Sequence, residues 1–270
     1  MKNLTKSLFG AASLMGVFAA TGAAYADDAA AAAPPAPMFA VSAAVAVQSD
    51  YRFRGISQNG RDIAPQATIN VTGPDGWYVG AWTSKVDWFL NSVSNNPSIE
   101  IDEYGGKHTD LWGTDLNVEA YYYSYPDART PYIGGIHTPK ASYFEAITQL
   151  SHTFGPLALV ATWAYSPEFT LGGGTGNYLE GTGTFTINDW LTASANVGHQ
   201  WVQTAKFNAS KDYTHYDFGV TATYKALSLD LRYVDTDLNK TQCAFYMATK
   251  DACAGGFMGT LTYNISAFPW

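Results

Sequence analysis

The sequence predicts an all-β protein: a single antiparallel transmembrane β-barrel of about twelve strands, with short periplasmic turns and long extracellular loops. Three observations carry this expectation. Apolar and polar residues alternate with period two over segments of about ten residues. Charged residues make up only 14% of the chain while aromatics reach 15%, against about a quarter charged in ordinary soluble domains. Tight connections alternate in order with long polar ones, as barrel hairpins do.

The N-terminus reads as an export signal over residues 1–26. Lys2 and Lys6 form a positive start, Ser7 to about Thr21 an apolar stretch of small residues, and Ala24-Tyr25-Ala26 a small-x-small cleavage pattern that places the cut between Ala26 and Asp27. Residues 27–37, an acidic pair followed by Ala and Pro, cannot bury a core and read as a flexible leader. The barrel is expected over residues 38–270, where no apolar run is long enough for a spanning helix.

Strands are expected near 39–53, 64–73, 76–86, 98–107, 114–125, 142–154, 157–166, 177–188, 190–203, 213–225, 227–237 and 257–268. In the first, Phe39, Val41, Ala43, Val45, Val47, Tyr51 and Phe53 share one face, opposite Ser42, Gln48, Asp50, Arg52 and Arg54. Leu227, Leu229, Leu231 and Tyr233 similarly oppose Ser228, Asp230 and Arg232. Two segments alternate poorly. Trp77 and Trp82 fall on opposite faces of 76–86, and Glu100, Asp102 and Glu103 crowd 98–107. Gly73-Pro74-Asp75-Gly76, Asp110 to Gly113, Gly155-Pro156, Asn188-Asp189 and Lys225-Ala226 supply the short turns. A soluble sandwich would also alternate, but its outer face would be charged. Here the polar face is mostly Thr, Ser, Asn, Gln and Tyr, which suits a wet lumen.

Ser49 to Gln58 (SDYRFRGISQ), followed by Pro65-Gln66, resembles the opening of the TorF-like porins, a family of Gram-negative outer-membrane proteins first catalogued as conserved hypotheticals. Val86-Asp87-Trp88, Glu100 to Gly106 and Tyr121 to Pro126 are similar to that family as well. The resemblance runs from about Phe39 to the end and implies a pore in the outer membrane. It carries no catalytic residues and no agreed substrate. Barrels of this kind end on an aromatic residue that the barrel assembly machinery reads. Here Phe257, Leu261, Tyr263 and Ile265 are in phase, whereas Phe268 and Trp270 have the other parity, and Pro269 marks a place for a register shift.

No cofactor or metal is implied. His108, His137, His152, His199 and His215 form no close ligand pair. No GxSxG elbow points to a serine hydrolase, and Gly172 to Gly176 lacks the Lys-Ser/Thr of a phosphate loop. The net charge of −8, about −10 once Lys2 and Lys6 leave, carries no basic stripe for nucleic acid. Cys243 and Cys253, ten positions apart in one loop of an exported chain, suit a disulfide.

The candidate lumen and selectivity residues are the charges on the polar parity: Asp50, Arg52, Arg54, Glu100, Asp102, Glu119, Glu145, Glu180, Asp217, Asp230 and Arg232. Such charges either line a water path or pair across the barrel as a plug, and sequence leaves both open. The expected function is passive passage of small hydrophilic solutes or ions through a barrel set in outer-membrane lipid, with mild cation preference. A plugged structural or adhesive barrel and a barrel-borne lipid hydrolase are the alternatives.

Overall fold

In lipid, backbone N–H and C=O groups find no water, so a spanning sheet must close on itself. The computed structural model describes residues 39–88, 97–128, 132–133, 136–137, 141–203, 211–247 and 251–269, and shows that closure. The expected signal peptide, its Ala26/Asp27 cleavage point and the 27–37 leader lie outside the described residues.

Twelve strands form the wall: β1 (Ala40–Gln48), β2 (Ala64–Thr72), β3 (Trp77–Lys85), β4 (Ile99–Leu111), β5 (Thr114–Ser124), β6 (Tyr143–Phe154), β7 (Leu157–Ser166), β8 (Gly176–Asn188), β9 (Leu191–Val202), β10 (Tyr213–Tyr224), β11 (Leu227–Thr236) and β12 (Gly256–Pro269). Each pairs antiparallel with its sequence neighbour, and β1 closes the ring by pairing with both β2 (Val45↔Ala67) and β12 (Val45↔Tyr263). No helix among the described residues is long and apolar enough to cross a membrane. The register shifts between Val41 and Ala43, which pair with Phe268 and Ile265, so β12 carries an extra residue just before Pro269. That shift brings position 268 into register with Val41.

The polarity of the molecule is inverted. Val45, Ile69, Val118, Leu159, Leu179, Val197, Phe218, Leu229 and Leu261 face outward and are exposed, whereas Gln48, Glu100, Asn117, Glu145, Glu180, Gln200 and Asp217 are buried. Alternation along each strand therefore puts apolar side chains on the rim of the cylinder and polar ones inside, as a lipid-facing wall around a polar interior requires. Tight connections sit at one end of the barrel: Gly73–Gly76, Trp112-Gly113, Gly155-Pro156, Asp189-Trp190 and Lys225-Ala226. In the second, Trp112 (φ 56°) and Gly113 (φ 86°) both take positive φ, the mirror-image turn whose twist matches a hairpin. At Gly76 (φ 81°) a Cβ would sit 2.3 Å from the His108 carbonyl oxygen, so that turn needs a glycine.

Three sequence expectations need correction. The first wall strand ends at Gln48 and not at 53, because residues 52–57 form a separate small hairpin (Arg52–Phe53 with Ile56–Ser57) folded inside the barrel. Arg54 (φ 45°) and Gly55 (φ 85°) make its turn. Tyr51, expected to face lipid, is instead 2% exposed in the interior. The strand expected over 98–107 runs on to Leu111, so the Asp110–Gly113 turn shrinks to two residues. The connection after β11, expected as plain loop, contains helix α1 (Lys240–Tyr246), capped by Asn239, whose side chain accepts from the Thr241 and Gln242 amides while Gln242 reaches back.

Val197 lies midway along β9, is 54% exposed and points away from the lumen. Val197→Arg should destabilise the folded barrel in lipid vesicles by about 2–4 kcal/mol. Denaturant titration of vesicle-inserted protein measures it. A change of less than about 0.5 kcal/mol would mean that this face does not meet hydrocarbon.

Candidate functional site

The inward side chains divide the lumen into two halves. Toward the tight-turn end of β8–β11 they are short and polar: Thr184, Thr192, Ser194, Thr221, Thr223 and Ser228 all retain solvent exposure, while Tyr78 and His108 pack together on β3 and β4. Toward the other end they are large and buried, with Trp82, Tyr121, Tyr123, Tyr143, Phe169, Tyr178 and Tyr213 packed around the inserted hairpin. The first half is a partly exposed polar vestibule and the second a filled plug.

Arg54, at the hairpin tip, sits at the centre of the plug. Its guanidinium donates to both carboxylate oxygens of Glu145 on β6, at 2.7 and 3.0 Å, and to Gln200 Oε1 on β9 at 2.6 Å. The group also lies 3.9 Å from the Tyr178 ring centroid, a cation–π contact. Neither side chain of the Arg54–Glu145 pair is more than 1% exposed. Burial works against a charged guanidinium there, and the Glu145 carboxylate, with two hydrogen bonds to it, offsets that cost. Tyr123 donates a further hydrogen bond to Glu145 at 3.1 Å. Tyr178 donates to Glu180, and its hydroxyl lies 2.6 Å from His215 Nε2. The hairpin tip is thus bound to three strands of the far wall through side chains alone.

The base of the hairpin is held differently. Arg52 Nε donates to Asp50 at 2.7 Å, and Arg52 Nη1 donates to the Ala254 carbonyl at 2.9 Å. The Ser57 amide donates to the Ala252 carbonyl at 2.9 Å, and Arg61 also reaches Ala254. Ala252 and Ala254 flank Cys253, which a disulfide joins to Cys243 on α1. Thr236 at the end of β11 donates to the Cys253 carbonyl at 2.9 Å. The cross-linked loop is therefore a clamp on the hairpin base, anchored to the wall.

The remaining candidate charges fall into three groups. Arg232 donates to Asp230 on the same strand, at 2.6 and 2.8 Å, and to Asp217 on β10, facing the vestibule with each side chain still partly exposed. Glu100 and Asp102 point inward from β4 and accept from Tyr125 and Tyr121 at 2.9 and 3.0 Å. Glu119 accepts from Tyr78 and Asn117. Asp50, Arg52 and Arg54 are neighbours in sequence, but the hairpin turn sends Arg54 away from the other two. The candidate site residues, all charged, do not include Tyr123, Tyr178 and Gln200, which complete the shell around Arg54. They stand on the same parity as Glu119, Glu180 and the other inward charges, and that shared parity was the available signal.

Among the described residues no three His, Cys, Asp or Glu converge as a metal site would require. One ring nitrogen of each of His108, His152, His199 and His215 lies within hydrogen-bonding distance of a side chain.

Comparison with solved structures finds the same barrel fold in outer-membrane porins and a channel. The NanC porin superposes with a TM-score of 0.52 at 10% identity, covering 82% of this chain and 99% of that one. The KdgM porin gives 0.51 at 6% identity over 84% and 99%. An outer membrane channel from Pseudomonas putida F1 gives 0.50 at 10% identity over 90% and 100%. Identities this low speak for the fold alone. No curated protein matches the chain. A family profile described as "Bacterial protein of unknown function (Gcw_chp)" matches residues 30–263, and the chain belongs to that family.

Proposed function

We propose that this protein is an outer-membrane channel for passive passage of small hydrophilic solutes or ions, closed in the present conformation by the hairpin of residues 52–57, and that it does no covalent chemistry. One observation carries the reading: a partly exposed polar vestibule ends on a segment that belongs to no wall strand and is held by side-chain contacts around Arg54. The tight turns would face the periplasm and the long connections the exterior, as is usual for such barrels. Export would use the 1–26 signal and insertion the barrel assembly machinery. The TorF-like resemblance of residues 49–58 falls on the plug itself.

A second reading, a permanently closed structural barrel, draws on the complete burial of the Arg54–Glu145 pair. Planar-bilayer recordings separate the two. Wild type should show infrequent conductance steps. Arg54→Gln leaves Glu145 buried without its ion partner, a cost of about 3–5 kcal/mol that expelling the hairpin relieves. That variant should open at least tenfold more often, and pairing it with Glu145→Gln should restore much of the closure. Silence from all three proteins, each confirmed as inserted, would establish the closed barrel.

The clamp makes a separate expectation. Cross-linking a loop of ten intervening bonds restricts the unfolded loop by about 3 kcal/mol. Cys243→Ser with Cys253→Ser should therefore loosen the carbonyls that hold Arg52 and Ser57 and raise open probability severalfold, with the wall intact by circular dichroism. An unchanged open probability would detach the disulfide from closure.

Selectivity should reside in the vestibule, where Asp217, Asp230 and Arg232 leave one net negative charge. Asp217→Asn with Asp230→Asn should lower the cation-to-anion permeability ratio roughly threefold. The reversal potential in a salt gradient reads it, and no movement would place the selecting charges elsewhere.

A further inference from the structure

The lipid-facing wall carries a notch beside the tight turns. A cavity of about 290 Å³ opens on the outer face of β10–β12, lined by Trp190, Ala222, Tyr224, Leu227, Leu229 and Leu261. A small residue creates it. Ala222 is flanked in the ladder by Leu191 on β9 and Leu229 on β11. Its neighbours on the same face of β10 are Val220 and Tyr224, so the wall steps inward at that one position. Thr223 and Ser228 also border the cavity, but their hydroxyls lie 3.1 Å from each other across the lumen face of the sheet. The rim is fixed by backbone hydrogen bonds. The Thr223 amide donates to the Trp190 carbonyl and the Asn264 amide to the Ala226 carbonyl, each at 2.8 Å.

A cation stands at this rim. Lys225 lies in the turn between the lining residues Tyr224 and Leu227, is exposed, and holds its ammonium 5.3 Å from the Tyr224 ring centroid. Among the described residues no carboxylate comes within ion-pair distance of it. Trp190 and Tyr224 are of the residue types that settle where a membrane meets water. A polar solute would find nothing in this lining to bond with. An acyl chain, for its part, gains no hydrophobic energy by exchanging its neighbours for the wall, because both are apolar. Shape and charge therefore decide whether a lipid is held at such a wall. The notch supplies the shape, and Lys225 supplies a charge at the turn end, where the head of a lipid lying in the notch would emerge.

We infer that the notch over Ala222 and the ammonium of Lys225 form a binding site for a phospholipid, with an acyl chain along Leu229 and Leu261 and an anionic headgroup against Lys225. That this lipid belongs to the periplasmic leaflet rests on the orientation proposed above. The site itself depends neither on that orientation nor on conduction.

The test uses the full chain, purified in detergent, stripped of lipid and titrated with dioleoylphosphatidylglycerol, dioleoylphosphatidylcholine or inorganic phosphate. Native mass spectrometry reads what stays bound. Wild type should hold its first phosphatidylglycerol about fivefold more tightly than its first phosphatidylcholine, and should retain no phosphate. Ala222→Leu, which fills the notch, should weaken both lipids about fivefold. Lys225→Gln should abolish the preference between them. Lys107→Gln removes a cation that stacks on Trp77 in the same way, 5.1 Å from the ring centroid, and should change neither lipid. The Lys225 variant, in an exposed turn, serves if Ala222→Leu fails to fold. Unchanged affinities in the folded variants would overturn the site. So would equal losses from Lys225→Gln and Lys107→Gln, which would mean attraction to charge in general, or retention of phosphate alone, which would assign Lys225 to free anions. A dimer that Ala222→Leu dissociates, in place of bound lipid, would overturn it too and assign the notch to a second copy of the chain. Bilayer recordings keep the site apart from the channel reading. Lipid held by a silent barrel upholds the site and removes passage, whereas conductance without a retained lipid does the reverse.

Discussion

Hydrocarbon gives the peptide backbone nothing to bond with, and the rest of this structure follows from how the chain meets that constraint. Twelve strands satisfy one another around a ring, and the pairing of β1 with β12 leaves no open edge. Once the ring is closed, side-chain parity decides everything about polarity. Odd positions of β9 such as Val197 and Trp201 meet the surroundings, and even ones such as Asn196 and Gln200 meet the interior. A shift of one residue in any ladder would exchange these sets, so register is fixed by the cost of exposing Glu145 or Glu180 to lipid.

A closed ring also creates an interior that must be either wet or filled. Short hydroxyl side chains leave the turn-side half partly exposed, while the other half is filled by aromatic rings and by a hairpin that brings charge with it. Burying Arg54 costs several kcal/mol of solvation, and only close pairing offsets that. Glu145, Gln200 and the face of Tyr178 provide it in one geometry. Backbone groups of the inserted segment are provided for as well. The Ser57 amide donates to Ala252, the Gln58 amide to Tyr51, and the Asp87 amide to the Gln58 carbonyl. An accidental insertion would leave such groups orphaned.

The wall was legible in the sequence because lipid on one side and polar space on the other write a period of two along each strand. Where the interior is aromatic, that signal fades. Trp82 and Trp77 are both apolar yet point to opposite sides, at 3% and 57% exposure, and nothing local distinguishes them. At residues 49–54 the alternation is real but ambiguous, since a wall strand and a small hairpin share the same period. Arg54 and Glu145 each fell on the polar parity, but their pairing spans 91 positions and depends on where the hairpin folds. Tyr123 and Tyr178 look like lipid-facing aromatics until their parity is set beside the acids of the same strands.

The plug is attached to the barrel without being part of its closure. The β1–β2 ladder reaches Gln48↔Ala64, and the residues between those two positions form the inserted segment. Removing the hairpin from the lumen would break no rung of the wall. What holds it is a set of polar contacts at its tip, on β6, β8 and β9, and at its base, on carbonyls beside Cys253. The stability of the barrel wall and the placement of the hairpin inside it are therefore set by different interactions. Ladder bonds and lipid-facing side chains determine the first; the contacts of Arg54 at the tip, the carbonyls beside Cys253 at the base and the burial of Tyr51 and Ile56 among the aromatic rings determine the second. Wall and hairpin are thus held by separable sets of contacts, which is the physical condition for one to move while the other stays folded.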